Sequence, residues 1–160
     1  AAMKYRDTPI PQGRDLKRWR VYGDILDADL VINVPVAKTH GIARLTLGGK
    51  NLMGVITDRP SFHRNMGQRI ADLVSLVKPA LTVVDAIRVM VRNGPTGGSP
   101  SDVRITNTVI ASADIVAADA YATRLFGMKP TDIDYITATA AMKLGTLDLA
   151  SLKIEELQVG

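Results

Sequence analysis

The sequence predicts an α/β fold, a three-layer domain with a mainly parallel sheet and helices on both faces. Three observations predict it. Short runs at residues 30–34, 81–84 and 108–111 are apolar and of strand length. Stretches with helical periodicity at 67–77, 115–126 and 131–144 alternate with them. The strand-like runs are apolar at nearly every position, the pattern of strands buried on both faces of a parallel sheet.

The elements follow in chain order. Residues 1–20 are polar, with Pro9 and Pro11 close together, and read as an arm or edge strand. Residues 20–22 suit a strand and 24–28 a helical turn. Residues 30–34 form the first clear strand. Leu45, Leu52, Met53 and Ile56 give 45–55 helical spacing, against the poor helix propensity of Gly48 and Gly49. Residues 58–65 read as a loop. Ile70, Leu73, Val74 and Val77 recur at i, i+3, i+4 and i+7, so 67–77 is an amphipathic helix that Pro79 ends. Residues 81–84 are a strand ending at Asp85. The segment 93–100, NGPTGGSP, is a turn-rich loop. After the strand at 108–111, Asp114 caps a helix over 115–126 that Gly127 stops. Thr131 and Asp134 resemble a capping box for a helix over 131–144, which Gly145 closes. A last strand is expected at 152–157.

The chain divides on this reading into a basic arm or edge strand, 1–23, and a single α/β domain, 24–160. Of 160 residues, 46% are hydrophobic and 22% charged, which is too apolar for disorder and enough to bury a core. No apolar run is long enough to span a bilayer, and no signal peptide is visible. The opening Ala-Ala-Met, without an initiator Met, suits a fragment, a mature form or a tagged chain alike, and a cytoplasmic location is favoured. Cysteine is absent, which removes disulfides, thiolate metal sites and cysteine-ligated iron–sulfur clusters within this chain. The net charge is +4. Residues 1–20 account for it, with six basic and two acidic side chains, and the remaining 140 are balanced. A local patch without a helix-turn-helix, RNP or zinc-finger pattern argues against a nucleic-acid partner.

Chemistry-bearing residues gather in VINVPVAKTHGIARLTLGGKNLMG, residues 31–54. An apolar run there empties into Pro35, Lys38, Thr39 and His40, and Gly48, Gly49, Lys50 and Asn51 follow. Open α/β sheets place ligands where parallel strands end, so the segment points to a small anionic ligand or a metal. Lys38 and Lys50 suit a phosphate or carboxylate; the alternative is two solvated lysines. The glycines fail as a P-loop, because Arg44 stands where the first Gly belongs and Asn51 where the hydroxyl belongs. His40 and His63 are the only histidines. They are candidates for proton transfer or, with Asp85, for a two-His, one-carboxylate site for a divalent metal. The alternatives are two unrelated surface histidines and a turn-forming Asp85. Asp119 falls on an apolar helical stripe and needs a partner, either a site lysine or a structural donor. Asn93 opens a loop that either wraps a ligand with backbone N–H groups or is a plain turn.

Taken together, VINVPVAKTHGIARLTLGGKNLMG, His63, LTVVDAIRVMVRNGPTGG and IASADIVAADAYATRLFG, spread in that order over residues 24–148, resemble a widespread prokaryotic family, domain of unknown function number 362. The resemblance implies functional weight at Lys38, His40, Lys50, Asn51, His63, Asp85, Asn93, Asp114 and Asp119. Members of that family often carry a ferredoxin-like module and an iron–sulfur label. A ferredoxin-like module or partner is therefore implied, while the cluster itself has no ligand here. Longer members carry an N-terminal Lys-Pro-Asn motif that this chain lacks, so it resembles part of the family domain. Two functions remain open: an enzyme or enzyme subunit acting on a small anion, and a non-catalytic module that binds a ligand or docks to a redox partner.

Overall fold

The computed structural model describes residues 4–158. Residues 1–3 of the expected arm lie outside that range. From Tyr5 onward the arm is a β-hairpin. β1 (Tyr5–Pro9) pairs antiparallel with β2 (Arg18–Tyr22), Tyr5 opposite Tyr22 and Pro9 opposite Arg18. It is integral to the fold, because Ile10, Leu16 and Val21 are at most 3% exposed and belong to the one hydrophobic core. Its cations are engaged locally: Arg6 pairs with Asp27, Arg18 with Asp7, and the Arg14 guanidinium donates to the Ala141 carbonyl. The short helix α1 (Gly23–Asp27) follows.

The expected strand at 30–34 is only β3, Ile32–Asn33, and its residues alternate: Asn33 is 4% exposed and Ile32 54%. Pro35, which lacks an N–H, interrupts the ladder, though its carbonyl accepts from the Asp85 N–H. The chain then resumes as β4 (Val36–His40), beyond the end of the expected strand. The expected helix at 45–55 divides into β5 (Arg44–Thr46), α2 (Gly48–Asn51) and a 3-10 turn at Leu52–Val55. The expected loop at 58–65 contains one helical turn, α3 (Arg59–Phe62), capped by Asp58. α4 (Met66–Val77) carries the predicted stripe, with Ile70, Leu73 and Val74 buried.

β6 (Leu81–Met90) and β7 (Val103–Ser112) are ten residues each, far longer than their apolar cores suggested. α5 (Ile115–Ala122) starts at the predicted Asp114 cap, whose carboxylate accepts from the Ala117 N–H. A 3-10 turn carries the chain to Gly127, which has φ 66°. α6 (Asp134–Ala141) is shorter than predicted, because residues Pro130–Asp132 form a separate turn and Asp132, not Thr131, closes on the Lys129 N–H. The expected strand at 152–157 is absent; that segment is irregular.

β7 runs antiparallel along β6 from Thr82 to Met90, so β3 and β4, both parallel to β6, share its other edge, and β5 adds antiparallel beyond β4. The sheet is therefore parallel at its centre, as predicted for this α/β class, with antiparallel strands at both edges. Val84, Ala86 and Val89 point into the core on one face, where α5 packs on β6 and β7, α2 on α5, and α4 on α6. The opposite face keeps Ile32, Val36, Ile105 and Val109 about half-exposed or more. No helix among the described residues is long and apolar enough to cross a membrane.

Candidate functional site

The site is built on the segment from β4 to α3. Asn33, the one polar residue in its apolar run, is buried and works in two directions. Its amide donates to the Gly48 carbonyl at 2.9 Å, and its oxygen accepts from the Asn51 amide at 2.8 Å. This ties α2 to the end of β3. Asp119, 2% exposed on α5, holds the other end: one oxygen accepts from the Gly48 N–H at 2.7 Å and the other from the Gly49 N–H at 2.8 Å. Both carboxylate oxygens are thus committed to backbone, and Asp119 positions α2 rather than facing a ligand. Burial pushes its pKa up to about 7, against the two N–H bonds, which favour the charged form.

Gly48 is required by close approach. A Cβ there would stand 2.8 Å from the Asp119 carboxylate and 2.9 Å from Thr82 Cγ2. The paired glycines serve packing, not a phosphate cradle. Gly48→Ala is expected to lower stability by about 1–3 kcal/mol as α2 is forced away from Asp119, read as a lowered midpoint in chemical denaturation with unchanged slope.

So fixed, α2 presents Lys50, which is 9% exposed and makes no hydrogen bond or ion pair with any described residue. Desolvation lowers its pKa, and Arg59 and Lys38 lower it further. Arg59 is anchored by donating to the carbonyls of Met53 and Gly54. His40, at the end of β4, lies within the field of Lys50, His63 and Lys38. Together with burial, the leading cause, they depress its pKa and keep the ring neutral at physiological pH. Its Nδ1 accepts from the N–H groups of Ile42 and Ala43 at 3.1 and 3.2 Å. The proton of the neutral ring is therefore on Nε2, which makes the free edge a hydrogen-bond donor. No carboxylate is among the charged groups acting on either Lys50 or His40. His63 also lines a surface groove of about 250 Å³ with Ala43, Arg44, Met66, Asp134 and Tyr135.

The structure thus brings together Lys38, His40, Lys50 and His63, with Asn51 on the same helix as Lys50. The remaining candidates are employed elsewhere. Asp85 does not end its strand: β6 continues to Met90, and Asp85 sits opposite Val36 and Val109 with its carboxylate accepting from the Ile87 N–H. It is not among the groups that act on His40. The donor edge of His40 is likewise unsuited to ligating a cation. Among the described residues no three His, Asp or Glu side chains converge on a point that could hold a metal. The chain's own residues therefore do not fit the two-His, one-carboxylate arrangement.

Thr39 accepts from the Gly94 N–H at 3.1 Å. That contact brings the backbones so close that a Cβ on Gly94 would lie 2.2 Å from the Thr39 carbonyl oxygen. The Asn93 amide donates to Asp102, which also accepts from the Ser99 N–H; these bonds hold the Asp102 carboxyl below its usual range. Asn93 is a brace of its loop. Asp114 caps α5 and accepts from the Thr146 N–H. Sequence reasoning missed Asn33 and Arg59. The signal for Asn33 was present, a lone amide inside VINV; Arg59 carried none.

A family model described as Domain of unknown function (DUF362) matches residues 2–124. The thylakoid-associated protein sll1697 of Synechocystis sp. (strain ATCC 27184 / PCC 6803 / Kazusa) is 30% identical over 135 residues, which cover 79% of this chain and 40% of that protein. The chain thus spans less than half the length of this relative. No solved structure matches significantly.

Proposed function

The chain belongs to the family described as Domain of unknown function (DUF362), and from its own residues we propose that it binds a small anion, a phosphate or carboxylate group, between Lys38, His40, Lys50, Arg59 and His63. The observation that carries this reading is Lys50. A lysine with about nine-tenths of its surface buried ordinarily has a carboxylate partner. This one has none, and Lys38 and Arg59 crowd it with like charge. An anion of the solvent or of a substrate completes such a cluster. His40 adds an Nε2–H donor without adding charge, and the groove beside His63 offers room for the body of a ligand larger than the anionic group. Binding is expected to raise the pKa values of Lys50 and His40 toward their ordinary ranges, so it takes up protons and weakens as pH or salt rises.

Unfolding curves of wild type and Lys50→Met with and without inorganic phosphate test the reading. Wild type is expected to gain stability with phosphate as RT ln(1 + [L]/Kd). Lys50→Met is expected to lose that gain, yet to stand up to about 1 kcal/mol above wild type without phosphate, because an unpaired, partly desolvated charge has been replaced by an apolar chain of similar length. A Lys50→Met protein that is markedly less stable, or that responds to phosphate as wild type does, would make Lys50 a structural residue.

A further inference from the structure

The open face of the sheet is the largest feature that the anion site leaves unused. Ile32 and Val36 on β3 and β4, and Ile105 and Val109 on β7, are between 48% and 69% exposed. They flank two charged residues of the central strand. Asp85 lies on this face, in register with Val36 and Val109. Arg88 lies on it too, because the bulge between Ala86 and Arg88 resets the alternation and places Arg88 opposite the exposed Ile105, while the next pair, Val89 and Arg104, turns to the core side. The Arg88 side chain has no hydrogen bond or ion pair among the described residues, and one Asp85 oxygen, Oδ2, is likewise unused. Parallel strand pairs are rarely left bare on one face, and a contiguous aliphatic face of this kind marks an interface.

We propose that this face pairs with the same face of a second copy of the chain about a two-fold axis perpendicular to β6 near Ile87. An acid and a base three residues apart on one strand are self-complementary under that symmetry. The axis sets Asp85 of each copy against Arg88 of the other, with aliphatic rows on both sides of the pair. A covering helix from a different polypeptide would have to supply a cation and an anion at matching spacing; a second copy supplies both without further conditions. The proposal uses none of the residues of the anion cluster, so it stands apart from the binding proposal.

Sedimentation equilibrium of the 160-residue chain tests it. Wild type is expected to be a dimer at micromolar concentration. Asp85→Arg alone and Arg88→Asp alone each set like charges together twice and are expected to weaken association about tenfold or more. The double variant Asp85→Arg/Arg88→Asp is expected to recover it. Val109→Lys, at a position exposed enough to leave the monomer folded, is expected to give a monomer and serves if Asp85→Arg does not fold. A wild-type chain that is monomeric throughout would overturn the proposal. So would a dimer that Arg88→Asp and Val109→Lys leave unchanged.

Discussion

Asp72→Ala is expected to destabilise the protein by about 4 kcal/mol, a fall in melting temperature on the order of 10 °C for a domain of this size. Asp72 is fully buried on α4. Its two oxygens accept from the backbone N–H groups of Arg14, Asp15 and Leu16, each at 2.8 Å, and from the Gln68 amide at 2.8 Å. Truncation strands donors in the interior, including the 3%-exposed Leu16 N–H, at about 1–3 kcal/mol for each group left without a partner. The loss falls on the turn that closes the β1–β2 hairpin, and Ile10, Leu16 and Val21 enter the core from that hairpin. Asp72→Asn retains shape but presents an NH₂ to one of the donors, and about half the loss is expected. Asp7→Ala, which removes only the exposed pair with Arg18, is the control and should lie within about 0.5 kcal/mol of wild type. Chemical denaturation followed by circular dichroism measures all three; an Asp72→Ala midpoint near that of Asp7→Ala would mean that the hairpin is held by its side chains alone.

The same residue shows where the sequence stops being legible. α4 was visible because Ile70, Leu73, Val74 and Val77 repeat at helical spacing, a signal contained within one element. Asp72 stands between two of those residues and reads as an ordinary polar position, because the backbone groups it holds lie more than fifty positions earlier in the chain. The hairpin was hidden for a related reason. Residues 1–20 are polar on average, and of the described ones only Ile10 and Leu16 are buried in the core, with Trp19 packed against it. β6 and β7 were underestimated because the strands extend past their apolar centres into Arg88, Arg104 and Asn107, where pairing continues although burial does not. That error put Asp85, which lies in the middle of β6, at a strand end and built a metal triad on it. Lys38, His40 and Lys50 were legible as a group only because they stand close together in one stretch of sequence; Lys38 lies inside β4, His40 at its end and Lys50 on α2.

Asp119 carries the second large effect, and it is a pH effect. Its carboxyl titrates near 7 in the folded protein, against 3.8 ordinarily, because burial outweighs the two N–H bonds from Gly48 and Gly49. Below pH about 4 the group is protonated in both the folded and unfolded chains, and above about 7 it is ionised in both. Between those limits the unfolded chain has released the proton and the folded chain still holds it. The stability that Asp119 contributes is therefore fully present in acid and is lost as pH rises through 7, a change on the order of 4 kcal/mol. Asp119→Asn cannot titrate, so the difference in unfolding free energy between wild type and this variant is expected to move against wild type between pH 5 and pH 8. The asparagine amide must also turn a donor toward either the Gly48 or the Gly49 N–H, which gives wild type the advantage at the acid end. A difference that stays constant from pH 5 to pH 8 would mean that the two N–H bonds keep the carboxylate charged throughout. In that case α2, and Lys50 with it, would rest on a permanent anion rather than on a group that changes charge near neutrality.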